Sequence, residues 1–128
     1  MAEKRTTYKV MDAGGIGEVH VADEVIAAVI GLAATETDGV ASLAGNITHE
    51  RVSKVGIKNL SKGVKMTIRD NVVNADLNLN VEFGKNILET SKRVQEKVKS
   101  AVENMTGLAV GDVNIHIASV EIENEKDK

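Results

Sequence analysis

The sequence predicts an α+β domain of two layers, with two main helices packed on one face of a mixed sheet of about five strands. Three observations carry this. Val73, Ala75, Leu77, Leu79, Val81 and Phe83 alternate without a miss against Asn74, Asp76, Asn78, Asn80 and Glu82, the period of a strand with one face on the core and one on water. Residues 22–39 and 86–106 have the apolar spacing and the length of helices. Short apolar alternations lie around them, each closed by Gly, Asn or Asp.

Taken in order, residues 1–13 are polar and mixed in charge and are expected to form a loose arm, followed by a single α+β domain over 14–123 and a charged tail over 124–128. Gly14, Gly15 and Gly17 turn the chain into Glu18, Val19, His20 and Val21, a short strand. The helix over 22–39, ADEVIAAVIGLAATETDG, is the most apolar segment of helical length. Val25, Ile26, Val29, Leu32 and Ala33 fall along one face, Asp23 stands where an N-cap would, and Gly39 stands where a left-handed residue would stop the helix. The opposite side carries Ala27, Gly31 and Ala34 in place of Lys and Glu. That second face is therefore expected to be covered too, by the second helix or by a second copy of the chain.

Val40 to Ala44 reads as a short strand, broken by Gly45 and Asn46. Residues 47–63, ITHERVSKVGIKNLSKG, space Val52, Val55, Ile57 and Leu60 irregularly, which predicts a mobile connection with one helical turn. Val64, Met66 and Ile68 alternate with Lys65, Thr67 and Arg69, and Asp70 with Asn71 makes a tight hairpin turn into the long strand. Asn86 with Glu89 resembles a capping box for a helix whose inner face is Ile87, Val94, Val98, Ala101, Val102 and Met105. Glu89 with Arg93 and Lys99 with Glu103 sit at pairing distance along it, and Gly107 stops it. A final strand holds Val113, Ile115 and Ile117. The shift of phase to Val120 and Ile122 predicts a bulge near Ala118 and Ser119.

Composition narrows the function. Tyr8 and Phe83 are the only aromatics, which argues against modules that stack bases, and a net charge of −3 gives no general attraction to phosphate backbones or anionic lipid. With no cysteine there is no thiol chemistry and no thiolate metal site, which suits a reducing cytoplasm. The start MAEKRTTYKVMD has no apolar core of a signal peptide, and no apolar run approaches the roughly 20 residues that span a bilayer. A cytoplasmic protein is expected, reaching a membrane only through a partner.

Candidate chemistry is thin. The glycines of GGIGE precede a strand, outside the strand–turn–helix context of a phosphate cradle. His20, His49 and His116 show no metal-ligand spacing, although His20 and His116 would be neighbours if the first and last strands paired. No serine lies in a G-x-S-x-G elbow. Two surfaces remain: the polar strand face Asn74, Asp76, Asn78 and Asn80, unusual because Asn is a poor strand former, and the basic set Arg51, Lys54, Lys58, Lys62 and Lys65, suited to an acidic partner or a phosphate.

Three strings then carry a family likeness: GEVHVADEVIAAVIGLAATETDGVASLAGN, KGVKMTIRDNVVNADLNLNVEFG and VQEKVKSAVENMTGLAVGDVNIHIASVEIE. From Gly17 to Glu123 the chain resembles the alkaline shock protein family of Gram-positive bacteria. The resemblance implies a small cytoplasmic protein without enzymatic activity, tied to cell-envelope stress and homeostasis. Some relatives are tethered beneath the membrane by an anchoring partner and assemble with themselves. Others are encoded beside fatty-acid synthesis or activation genes, which implies regulation of membrane lipid supply. No catalytic residue, metal or cofactor is carried over. The expected function is a non-catalytic adaptor or regulator that self-associates and binds a protein partner, with Arg51, Lys54, Lys58, Lys62 and the small-residue stripe Ala27, Gly31, Ala34 as the partner-binding candidates. The alternatives are a small-ligand module for an acyl group, between helices and sheet, and an RNA-binding module.

Overall fold

One long strand positions everything else. In the computed structural model, which describes residues 7–12, 17–54 and 60–122, the elements run β1 (Thr7–Asp12), β2 (Glu18–Ala22), α1 (Asp23–Glu36), β3 (Val40–Leu43), a 3-10 turn (His49–Lys54), β4 (Val64–Arg69), β5 (Val72–Glu82), α2 (Ile87–Thr106) and β6 (Ala109–Glu121). The first half of β5 pairs antiparallel with β4, from Arg69↔Val72 to Val64↔Leu77. Its second half pairs antiparallel with β3, through Leu43↔Leu79 and Val40↔Val81. Along its other edge β6 runs parallel to it, from Val72↔Ala109 to Glu82↔Glu121. β3 and β4 thus lie end to end beside β5, and the sheet is mixed, as the alternation of helix and strand after β5 requires.

The two end-to-end strands meet at Asn78. Its N–H donates to the Gly63 carbonyl (2.9 Å), and its carbonyl accepts from the Ala44 N–H (2.9 Å). Its side-chain Nδ2 donates to the Lys62 carbonyl (3.2 Å). The approach is close enough that a Cβ on Gly63 would stand 2.7 Å from Leu43 Cβ, so no side chain fits there. One residue pair further along, Asn80 lies buried on the sheet face away from the helices. Its Nδ2 donates to Ser42 Oγ (2.9 Å) and the Leu43 carbonyl (3.3 Å), while its Oδ1 accepts from Ser119 Oγ (2.8 Å). One side chain thereby ties β3, β5 and β6 together.

The inner row of β5 is the floor of the core. Val73, Ala75, Leu77 and Leu79 are buried in one cluster with Ile26 and Ile30 of α1 and Val94, Val98 and Val102 of α2, and Val81, also buried, lies beyond that cluster at the strand end. Each large aliphatic buried there contributes about 1.5–3 kcal/mol of transfer free energy. Turn chemistry agrees with the sequence at several points. Asp70 and Asn71 both take positive φ (52° and 64°), the primed turn that matches strand twist. Asn86 Oδ1 accepts from the Glu89 N–H (2.9 Å), and Gly107 closes α2 at φ 78°. Leu79 faces Ile117 but Asn80 faces Ser119, so Ala118 is the bulged residue.

Other expectations are corrected. Asp23 is the first residue of α1 and not its cap; the N-cap is Ala22, which has no side chain to offer. Thr37 ends the helix, its Oγ1 donating to the Ala33 carbonyl (3.0 Å), and Gly39 comes two residues later. There Gly39 takes φ 99° with its carbonyl accepting from the Glu82 N–H and Thr90 packed where a Cβ would be, at 2.8 Å. Val25 is 47% exposed because the buried arc of α1 swings towards Ile30 and Ala34. Ile87, Met105 and Phe83 are exposed as well: the first two lie at the ends of α2, and β5 has already ended when the chain reaches Phe83. The connection read as mobile places Ile47, Val52 and Leu60 in the core, whereas Val55 and Ile57 lie outside the described residues. The arm read as loose contains β1, whose partner is β2 in a separate two-stranded sheet; residues 1–6 and the tail 124–128 lie outside the described residues.

Two stability outcomes follow from the junction. Gly63→Ala forces β3 from β4 and is expected to destabilise by about 1–3 kcal/mol, read as a lower midpoint in urea denaturation with an unchanged slope. Asn80→Ala removes the partner of two serine hydroxyls, Ser42 and Ser119, while the Leu43 carbonyl keeps the Ile47 N–H, and is expected to cost about 1–3 kcal/mol in the same measurement. A midpoint within error of the parent in either variant would refute this account of the junction.

Candidate functional site

The residues singled out from the sequence fall in three places. Ala27, Gly31 and Ala34 are buried within the chain: a Cβ on Gly31 would meet Val52 at 3.0 Å, Leu43 at 3.4 Å and Leu60 at 3.6 Å. Over Gly31 the cover is thus the 3-10 turn, β3 and Leu60. Arg51 and Lys54 project, exposed, from the 3-10 turn, and Lys62 is exposed just before β4; Lys58 lies outside the described residues. Lys65 is exposed on β4, in register with Asp76.

The polar row of β5 is a set of cross-ties. Asn74 Oδ1 accepts from the Asp112 N–H (2.7 Å), and Asp76 Oδ1 accepts from Asn114 Nδ2 (2.9 Å). With Asn78 bonded to Lys62 and Asn80 to Ser42, Leu43 and Ser119, each member binds a neighbouring strand. This accounts for four poor strand formers in one strand: each offsets its unfavourable propensity by joining β5 to a neighbour.

The histidines do not converge. β2 pairs with β1 and not with β6, so His20 and His116 are on different sheets. His20 Nε2 lies 3.0 Å from Glu18 Oε1. The Thr35 hydroxyl donates to the Gly31 carbonyl (2.7 Å), which leaves His49 Nδ1, at 3.0 Å, as the donor to Thr35 Oγ1. Among the described residues, no group of three His, Cys, Asp or Glu side chains is placed to hold a metal ion.

What the sequence did not single out is apolar surface. At the end where β5 and β6 finish, Phe83 is 69% exposed and Ile122 72%, with Leu88, Ile87 and Val120 exposed beside them. The Phe83 N–H donates to the Glu121 carbonyl (2.8 Å), which holds the two strand ends level, and α2 begins within a short turn. Together they frame a cleft of about 420 Å³ lined by Val81, Phe83, Ile87, Val120 and Ile122. A second cleft, about 320 Å³, runs between α1 and α2 over Val29, Leu32, Ala33, Ala101 and Met105, with Lys97 reaching Glu36 (3.8 Å) at its rim. The signal for the first cleft is present in the sequence: Phe83 and Ile122 continue apolar runs past their last paired residue. Period alone counts them as core.

Residues 11–122 match the Asp23 family, described by its cell envelope-related function. The uncharacterized protein YqhY of Bacillus subtilis is 36% identical over 110 residues, covering 86% of this chain and 82% of its own. YloU of the same organism, also uncharacterized, is 34% identical over 124 residues, 95% of this chain and 97% of its own. A stress response regulator gls24 homolog of Streptococcus pyogenes is 24% identical over 122 residues, 94% of this chain and 68% of its own. Among solved structures, a MamM CTD overlays on 77% of this chain at 15% identity with a TM-score of 0.49, too distant to carry anything across. The match over residues 11–122 and the identity to YqhY and YloU agree with the alkaline shock resemblance, and the chain belongs to the Asp23 family (a family name unconnected with the residue Asp23), whose function is cell envelope-related.

Proposed function

We propose that this chain is a non-catalytic cytoplasmic adaptor or regulator in envelope homeostasis or membrane lipid supply, and that it works by self-association and by binding a protein partner. The observation that carries the reading is the exposed apolar end formed by Phe83, Ile87, Leu88, Val120 and Ile122. A contiguous apolar surface in a soluble domain is the usual mark of a protein contact, and an aromatic at its centre is the usual anchor. Arg51, Lys54, Lys58 and Lys62 form a second, basic contact set for an acidic partner. No helix among the described residues is long and apolar enough to cross a membrane, so on this reading the envelope is reached through the partner.

The apolar cleft between α1 and α2 supports a second reading, the binding of an acyl group. The RNA alternative gains no support: the open sheet face carries Asp76 and Asp112 beside Lys65 and Arg69, and β3 to β6 themselves contain no aromatic residue.

Phe83→Glu separates these. Light scattering on the full chain is expected to give a multimer, and capture from the native lysate to give a stoichiometric protein partner. The variant is expected to lose both with its unfolding transition unchanged, since Phe83 is 69% exposed. A parent chain that is strictly monomeric and captures no partner overturns the adaptor reading. Native mass spectrometry decides the second: a retained lipid that Ala101→Trp expels would establish acyl binding, and a bare polypeptide mass would remove it.

A further inference from the structure

We propose that the carboxyl-terminal half of β6 is an acceptor edge for the β1–β2 hairpin of a second copy of this chain, so that the main sheet of one molecule continues into the hairpin of the next. The inference rests on the self-association reading above and names its interface.

The acceptor is a free strand edge. Among the described residues, β6 pairs on one side only, with β5. Its first half is guarded by α2: Gln95 Nε2 donates to the Val113 carbonyl (2.9 Å), and Glu103 Oε2 accepts from the Val110 N–H (3.4 Å). Backbone groups alternate sides along a strand, so beyond Val113 the outward groups are those of Ile115 and Ile117. Among the described residues no side chain of α2 reaches them. Strand edges are ordinarily blunted by lysine, proline or a bulge. β6, AVGDVNIHIASVE, has no lysine and no proline, and the bulge at Ala118 is the one such device in its second half. The edge ends beside the cleft of Val81, Phe83, Ile87, Val120 and Ile122. Main-chain pairing next to a side-chain pocket is the arrangement by which sheets take up an added strand.

The donor is a hairpin without a sheet. β1 and β2 form a two-stranded ribbon apart from the main sheet; among the described residues β1 has β2 as its one substantial neighbour, and β2 leans on α1. A two-stranded ribbon alone in water is marginal, and a third strand is what completes it. Among the described residues, β1 pairs along one edge only, with β2.

Charge favours this donor over another β6. Glu82 and Glu121 stand directly opposite each other in register at the end of the acceptor, both exposed, an unfavourable pairing of like charges. Lys85, the nearest cation along the chain, is turned to Asp38 (3.3 Å). Two β6 edges brought together would add Asp112 and Glu121 of the second copy. The sequence of β1, TYKVMD, holds one lysine, Lys9, and Lys4 and Arg5 precede it in the chain, so the donor segment is cationic where β6 is acidic. Donor and acceptor are different elements, so the contact is head-to-tail.

Light scattering across a concentration series tests this with three full-length proteins: the parent, the edge-blocked Val120→Lys/Ile122→Lys, and the donor-blocked Lys9→Pro. Both acceptor positions are exposed, and the hairpin lies outside the core, so thermal unfolding of the body should not move. The parent is expected to be multimeric, and each variant to weaken association about tenfold or more. An equimolar mixture of the two variants is expected to form a one-to-one complex, because each keeps the half the other has lost. Lys9→Glu, which leaves the backbone pairing intact, is expected to weaken association in the same direction. Multimers that persist in either blocked variant, or a mixture that stays monomeric, overturn the hairpin interface while leaving self-association standing. A parent that is itself monomeric removes both.

Discussion

Because β5 pairs with three strands at once, the fold depends on what that single strand can hold on each of its sides. Its inner row, Val73 to Leu79, is the surface on which both helices pack, and its outer row supplies hydrogen bonds that help keep β3, β4 and β6 in register. The division exists because side chains alternate faces along a strand. A slip of one residue would place asparagine against the helices and valine against water, so the register is set twice, by burial on one face and by cross-ties on the other. The break between β3 and β4 is the weak place in such a sheet, and Asn78 and Gly63 close it from opposite sides: one adds a side-chain bond, the other removes a Cβ that would hold the two strands apart.

With hardly any aromatic residues, the core is filled by Val, Ile, Leu and Ala, and the helices must lie close to the sheet. The α1 stripe of Ala27, Gly31 and Ala34 fits that need. Where Gly31 has no Cβ, Val52, Leu43 and Leu60 come within contact. The stripe was read from the sequence as a face needing a cover from the second helix or a second copy. The small residues are equally what allows the chain's own loop to supply that cover, and local periodicity cannot tell these apart, because the covering residues are far along the chain and irregularly spaced.

This marks how far the sequence was legible. The elements that announce themselves by a sustained period or by turn chemistry (β5, α2 with its Asn86 cap, the Asp70 and Asn71 turn, the bulge at Ala118) stand where the residues place them. What was not legible depends on the third dimension. Strand pairing decides that β2 joins β1, which keeps His20 away from His116. The end of pairing decides that Phe83 and Ile122 leave the core although they continue its period. The asparagines stand out as a candidate binding face, and their unusual presence is a signal of structure: each bonds a neighbouring segment through its side chain.

The same logic bears on where function can reside. Each member of the polar strand row spends at least one polar atom on a neighbouring segment, and Asn80 spends both ends of its amide, so the row has a structural role of its own. The apolar end is different. Exposing Phe83 forgoes the ~1.5–3 kcal/mol that burying such a side chain brings, and the core closes over β5 without it. An aromatic that the fold does not use, in a chain with only one other, is hard to explain as packing. It lies beside the half of β6 whose outer edge has no strand partner among the described residues, and beside Glu82 and Glu121, which stand opposite each other in register. Exposed apolar surface and like charges held opposite each other both raise the free energy of the isolated molecule. The hairpin contact we propose would cover the apolar surface and bring a lysine-containing segment to the two carboxylates.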